Sequence, residues 1–145
     1  MVQVRVINKS KYPLPHYETS GSAGLDVRAN IEEPITLGSL ERVLIPTGIH
    51  VQIPEGYEIQ VRPRSGLALK HGLSLCNSIG TIDSDYRGDI GLIIINLSKE
   101  EYTIQPGERI GQLVLNKVER LNWKLVEKLS ETDRGEGGFG HTGVN

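Results

Sequence analysis

"RVLIPTGIHVQIPEGYEIQVRP", Arg42 to Pro63, alternates apolar and polar residues on either side of a turn signal. Ile49, Val51 and Ile53 stand against His50 and Gln52, and Tyr57, Ile59 and Val61 against Glu58, Gln60 and Arg62. A period of two is the pattern of a strand with one face on a core. The intervening Pro54-Glu55-Gly56 is turn chemistry, because proline fixes φ and glycine accepts a positive one.

Working outward, "VQVRVI" (Val2–Ile7) and "YTIQPGERIGQLVLNKV" (Tyr102–Val118) repeat the alternation, and "SDYRGD" and "QPGER" supply further turns. "IGLIIINL" (Ile90–Leu97) is instead continuously apolar, which predicts a strand buried on both faces. The spacing predicts an all-β domain, a sandwich or barrel, rather than alternating β and α units. One stretch departs from it. "SGLALKHG" reads as a short helix with Ser65 as N-cap and Gly72 as its stop.

A chain of 145 residues fits one domain with room for a core. Only 5% of the residues are aromatic, so that core must rest on Val, Ile and Leu. A net charge of -2 supplies no broad basic field, which argues against a nucleic-acid polymer as partner and leaves single arginines free to hold a small anion. The lone cysteine, Cys76, forms no internal disulfide and reads as a small buried hydrophobe in a reducing compartment. No apolar run approaches the ~20 residues that span a bilayer. The opening "MVQVRVINKS" lacks the layout of a signal peptide. These features predict a soluble, cytoplasmic protein with no membrane partner.

"NWKLVEKL" (Asn122–Leu129) is ambiguous, with Trp123 read as a packing residue. From Ser130 the chain is polar and glycine-rich and lacks a period. The expected organisation is a β-rich domain over residues 1–129 and a flexible C-terminal arm over 130–145.

That arm carries "RGEGGFGHTG" (Arg134–Gly143) with Phe139, the chain's single phenylalanine. Gly135, Gly137 and Gly140 match G-x-G-x-x-G, but a dinucleotide fingerprint needs a strand before and a helix after it, and here a polar linker precedes it. A flexible segment with unobstructed N–H groups, an arginine and one ring can instead hold phosphate and stack on a base. The competing reading is a disordered tail.

Arg64 and Ser65 in "RPRSGLALK" lie at the positive end of the predicted helix, where anions are favoured. "NSIGTIDSDYRGD" loosely imitates a calcium loop, but Arg87 occupies the fifth position and Ile94 the closing glutamate, so calcium is set aside. It reads as a hairpin turning near Ser78–Gly80, whose backbone could read the edge of a heterocycle and which ends in a carboxylate beside a tyrosine. In "AGLDVRA", Asp26 interrupts small and apolar residues and is either a turn former or part of a metal and charge network. In "PGERIGQLVL", Gln112 stands at the mouth of an apolar strand.

These five segments, in this order from Ala23 to Gly143, resemble the five motifs of the trimeric deoxyuridine triphosphate nucleotidohydrolases (dUTPases). The resemblance implies a jelly-roll-like β fold, a homotrimer and active sites at subunit interfaces. It implies hydrolysis of dUTP to dUMP and diphosphate with Mg²⁺ on the triphosphate, which limits uracil in DNA and supplies dUMP for thymidylate synthesis. Asp83 would activate the attacking water and Tyr86 would lie under the deoxyribose. Asn77, Thr81 and Ile82 would hold uracil and sugar, with Gly91 close to the base. Arg64, Ser65 and Gly66 would grip phosphates, Gln112 would contact the phosphate and water region, and Asp26 would sit in the metal's outer shell. Arg134, Phe139, His141 and Thr142 would close over the nucleotide from another subunit. His141 departs from the serine that many relatives carry there. The related dCTP deaminases are a rival on the same fold, yet Ile93 stands where their catalytic glutamate is expected.

Overall fold

The computed structural model describes residues 1–139. Its strands are β1 (Arg5–Asn8), β2 (Leu25–Arg28), β3 (Ile35–Leu37), β4 (Arg42–Pro46), β5 (Ile49–Gln52) and β6 (Tyr57–Arg62). After helix α1 (Ser65–His71) come β7 (Leu73–Leu75), β8 (Gly80–Ile82), β9 (Gly91–Asn96), β10 (Tyr102–Ile104) and β11 (Arg109–Lys117). The sheet-rich, one-helix architecture is the one the alternation predicts, and it is built from separate sheets rather than a closed barrel.

The largest sheet has the order β2-β11-β6-β8, and a second has β4-β9-β7. Two strand pairs, β1-β5 and β10-β3, complete the layers. All pairings are antiparallel. The inward faces of these sheets meet in one aliphatic core that includes Val27, Ile45, Val61, Leu92, Ile94 and Ile104. Every residue of that buried cluster is Val, Ile, Leu or Ala, as the shortage of aromatics requires.

Among the described residues, Thr47 and Asn96 are the buried polar ones, and Asn96 is fully inside. The Asn96 amide donates to the carbonyls of Leu37 (2.9 Å) and Glu100 (2.7 Å), and its oxygen accepts from Ser98 N (2.9 Å) and Ser98 Oγ (2.8 Å). A buried amide with all these partners costs little and ties β9 to β3 and to the following loop.

Several sequence expectations change. Strand β9 is buried on one face only: Leu92, Ile94 and Asn96 point inward, whereas Ile93 is 36% exposed. Strand β1 is exposed throughout despite its alternation, because it pairs only with β5 at the edge of the fold. Ser65 is the first helical residue rather than the cap. The cap position is held by Arg64 in extended conformation, whose side chain makes no capping hydrogen bond to the helix. Gly72 does end the helix in the left-handed region, at φ 66.

The segment around Ser78–Gly80 turns sharply but does not join a paired hairpin. Strand β7 pairs with β9 and β8 pairs with β6, so the turn carries the chain from one sheet to the other. Cys76 lies in that turn and is exposed, not buried. After β11, residues 118–139 hold no regular element, and Trp123 is 87% exposed rather than packed.

Candidate active site

Three strands of the largest sheet bring Asp26, Arg64 and Gln112 together. Gln112 on β11 is registered against Asp26 on β2 at one side and Arg62 on β6 at the other. Its Nε2 donates to the Pro63 carbonyl at 3.0 Å, fixing the side chain where β6 leaves the sheet. Gln112 Oε1 occupies the space that a Cβ at Gly24 would take, so a side chain there would displace the glutamine.

Arg64 follows that exit and folds back over the sheet. Its Nη1 donates to the Arg109 carbonyl at 3.0 Å, and its Nη2 lies 3.1 Å from Asp26 Oδ2. Arg109 approaches the same carboxylate oxygen at 3.5 Å and donates to Glu18 Oε1 at 2.9 Å. Asp26 is therefore held between two guanidiniums. It belongs to a charge network, one of the roles its sequence context left open. Ser65 and Gly66, in the first turn of α1, are exposed beside this cluster, and nothing lies within 4 Å of where a Gly66 side chain would start.

The third motif forms a separate group. Thr81 is paired with Gln60, Ile82 is buried against Ile59, and Asn77 closes the preceding turn by accepting the Ile79 N–H at 2.7 Å. Asp83 is exposed, and its carbonyl accepts the Tyr86 N–H at 3.1 Å. The Tyr86 hydroxyl donates to the Asp89 carbonyl at 2.9 Å. Gly91 begins β9, where a Cβ would stand 2.6 Å from Leu44 Cδ1.

Within one chain these two groups do not converge. Strand β8 runs antiparallel to β6, so Asp83 falls beside Glu58, and both line an open cleft of about 760 Å³ with Asp85, Arg87 and Arg120. Arg64 lies past the opposite end of β6. At roughly 3.3 Å per residue, the strand carries the two ends about 15–20 Å apart.

The arm forms a third group. Arg134 donates from Nε to the Gly137 carbonyl at 2.7 Å, and Phe139 touches no core, being fully exposed. His141 and Thr142 lie outside the described residues.

Sequence reasoning missed Arg109 and Glu18. Arg109 stood inside the quoted "PGERIGQLVL", whereas nothing local marks Glu18, which reaches the site only because the chain before β2 folds over it. Next to this cluster, the Tyr102 hydroxyl donates to the Glu108 carboxylate, and its ring stacks obliquely on His71 at 4.8 Å between centroids. Burial, then that bond to a carboxylate, pushes the Tyr102 hydroxyl up to about 12, partly offset by Arg64. Among the described residues no trio of His, Cys, Asp or Glu gathers as a metal cage.

The sequence model of the dUTPase family matches residues 10–143. The deoxyuridine 5'-triphosphate nucleotidohydrolase of Fusobacterium nucleatum is 66% identical over 142 residues, spanning 98% of this chain and 97% of the relative. That of Finegoldia magna is 61% identical, spanning 98% of this chain and 99% of the relative. Among solved structures, the dUTPase of Staphylococcus bacteriophage 80alpha with dUPNHPP superposes with a TM-score of 0.87 at 32% identity, covering 98% of this chain and 99% of the phage chain.

Proposed function

We propose, for a chain that belongs to the dUTPase family and hydrolyses dUTP to dUMP and diphosphate, that each catalytic centre is assembled from more than one copy in a homotrimer. The observation that carries this reading is the separation of Asp83 and Tyr86 from the Asp26–Arg64–Gln112 cluster along β6. A triphosphate gripped by Arg64 cannot reach the Asp83 of the same chain. A neighbouring copy supplies it instead, and the arm of a further copy covers the nucleotide.

Asp83 orients a water and takes its proton as the oxygen attacks the α-phosphorus in line. The bond from that phosphorus to the bridging oxygen breaks, and diphosphate leaves. Arg64, Arg134 and the N–H groups of Ser65 and Gly66 stabilise the charge that grows on the leaving group. Gln112 contacts the phosphate and water region. Backbone groups of Asn77, Thr81 and Ile82 read uracil, with Gly91 close by, and Tyr86 lies under the deoxyribose. Phe139 stacks on the base, while His141 and Thr142 close on the phosphates, so the residue 130–145 arm acts as a lid on the 1–129 domain.

Mg²⁺ keeps much of its water and favours phosphate oxygens, which suits a site with one carboxylate, Asp26, already committed to two arginines. Asp26 would hold such an ion through water, and an ion there would supply charge neutralisation for the triphosphate. No helix of the described residues is long and apolar enough to cross a membrane. The exposed thiol of Cys76 suits a reducing cytoplasm. There the reaction lowers dUTP available to polymerases and supplies dUMP for thymidylate synthesis.

Complementation tests the shared site. Asp83→Asn and Arg64→Ala are each expected to be inactive, and random mixed trimers regain about a quarter of the wild-type rate because some centres receive both intact halves. Mixed preparations as inactive as their parents would show that both groups act within one chain.

A further inference from the structure

Tyr86 is 43% exposed, yet its ring is fixed at both ends. It lies against Gly88, where a Cβ would stand 2.9 Å from Tyr86 Cε2 and closer still to Cζ and the hydroxyl oxygen. At the far end, its hydroxyl donates to the Asp89 carbonyl at 2.9 Å. The ring therefore takes its position from the Asp89–Ile90 peptide.

That peptide is itself tied down. Its other polar group, the Ile90 N–H, donates to the Ile49 carbonyl at 2.9 Å, and Ile90 is fully buried. Asp89 Oδ1 accepts from Thr47 N at 3.1 Å and from Gly48 N at 2.9 Å, and Oδ2 stands 3.2 Å from Gly48 N. The receiving turn is buried and closely packed. Thr47 is buried, and Gly48 has φ 72, with Ser10 N and Asn30 Nδ2 within 2.9 Å of where a Cβ would be. The chain of contacts runs unbroken from a buried turn to an exposed ring.

We infer that Asp89 is a specificity-determining positioning residue: by pinning its own peptide to the Thr47–Gly48 turn, it sets the position of the Tyr86 ring and hence the exclusion of a 2′-hydroxyl. The inference rests on the proposal that Tyr86 lies under the deoxyribose. A carboxylate that merely stabilised the turn would alter the amount of folded enzyme and treat both sugars alike. One that aims the ring changes the choice between them.

The test is kcat/KM for dUTP and for UTP with the full-length protein, expressed as a ratio, so that any loss of folded material cancels. Asp89→Ala is expected to lower the dUTP-to-UTP preference about tenfold. Asp89→Asn keeps an acceptor oxygen for the two N–H groups and restores the preference. Tyr86→Phe, which keeps the ring and removes its tether, falls as Asp89→Ala does, and it carries the test if Asp89→Ala does not fold. A wild-type ratio in Asp89→Ala or in Tyr86→Phe, or an Asp89→Asn ratio as low as that of Asp89→Ala, overturns the inference. Tyr86→Ala separates the two levels. If it keeps the wild-type ratio, the placement of Tyr86 under the sugar fails. If it lowers the ratio while Asp89→Ala does not, only the role of Asp89 fails.

Discussion

Arg64 reaches over β11 to Asp26 on β2, its Nη2 3.1 Å from Oδ2, so a residue leaving one strand is bonded to a carboxylate two strands away. The pair is only partly exposed, and Arg109 approaches the same oxygen. Removing the carboxylate charge leaves two guanidiniums facing one another. Asp26→Asn is expected to lower stability by about 1–2 kcal/mol and kcat/KM about tenfold or more, because Arg64 loses the anchor that aims it. Denaturant unfolding and steady-state kinetics check the two effects separately.

Asp83 is exposed, and its bond to the Tyr86 N–H comes from its backbone carbonyl and not from its carboxylate. Asp83→Asn should therefore melt at the wild-type temperature while turnover drops about a hundredfold or more, with nucleotide affinity nearly unchanged. Calorimetric binding of a non-hydrolysable dUTP analogue alongside diphosphate release tests the split. Equal turnover in the variant would remove Asp83 from the proton-accepting role.

Deleting residues 134–145 removes Arg134 and Phe139, whose described bonds stay within the arm. The truncated protein should keep its circular dichroism spectrum and melting temperature and lose most of its activity. Full activity would make the arm dispensable.

Tyr102 supplies a pH signature of the fold. Its ordinary value is 10.0 and its folded value is about 12, so between those limits the unfolded chain has released a proton that the native state still holds. Stability contributed by this group is complete below about 10 and is lost as pH rises toward about 12. Tyr102→Phe should flatten that part of the melting-temperature profile. An unchanged alkaline slope in the variant would assign it to other groups.

Much of this was legible in the chain. The alternation from Ile49 to Val61 placed β5 and β6, and of the residues singled out in the five segments Asp26, Thr81, Ile82 and Gln112 lie on β2, β8 and β11, with Arg64 just past β6. Periodicity could not tell one-sided from two-sided burial in "IGLIIINL", because Ile93 and Ile95 are as apolar as Leu92 and Ile94. Ser65 looked like a cap because small hydroxyls favour that position, yet the extended residue is Arg64, which its reach toward Asp26 requires. The turn near Ser78 was visible, but which strands it separates depends on long-range pairing that no local signal encodes. Glu18 and the Thr47–Asp89 contact were hidden for the same reason.

The placement of Trp123 has a spectroscopic consequence. The chain's one indole sits on solvent-facing backbone beyond the last strand, away from the buried aliphatic cluster and from Tyr57 and Tyr102, which pack against it. Its emission will report what touches the tail, a neighbouring copy or a covered nucleotide, and will stay almost silent while the sheets come apart.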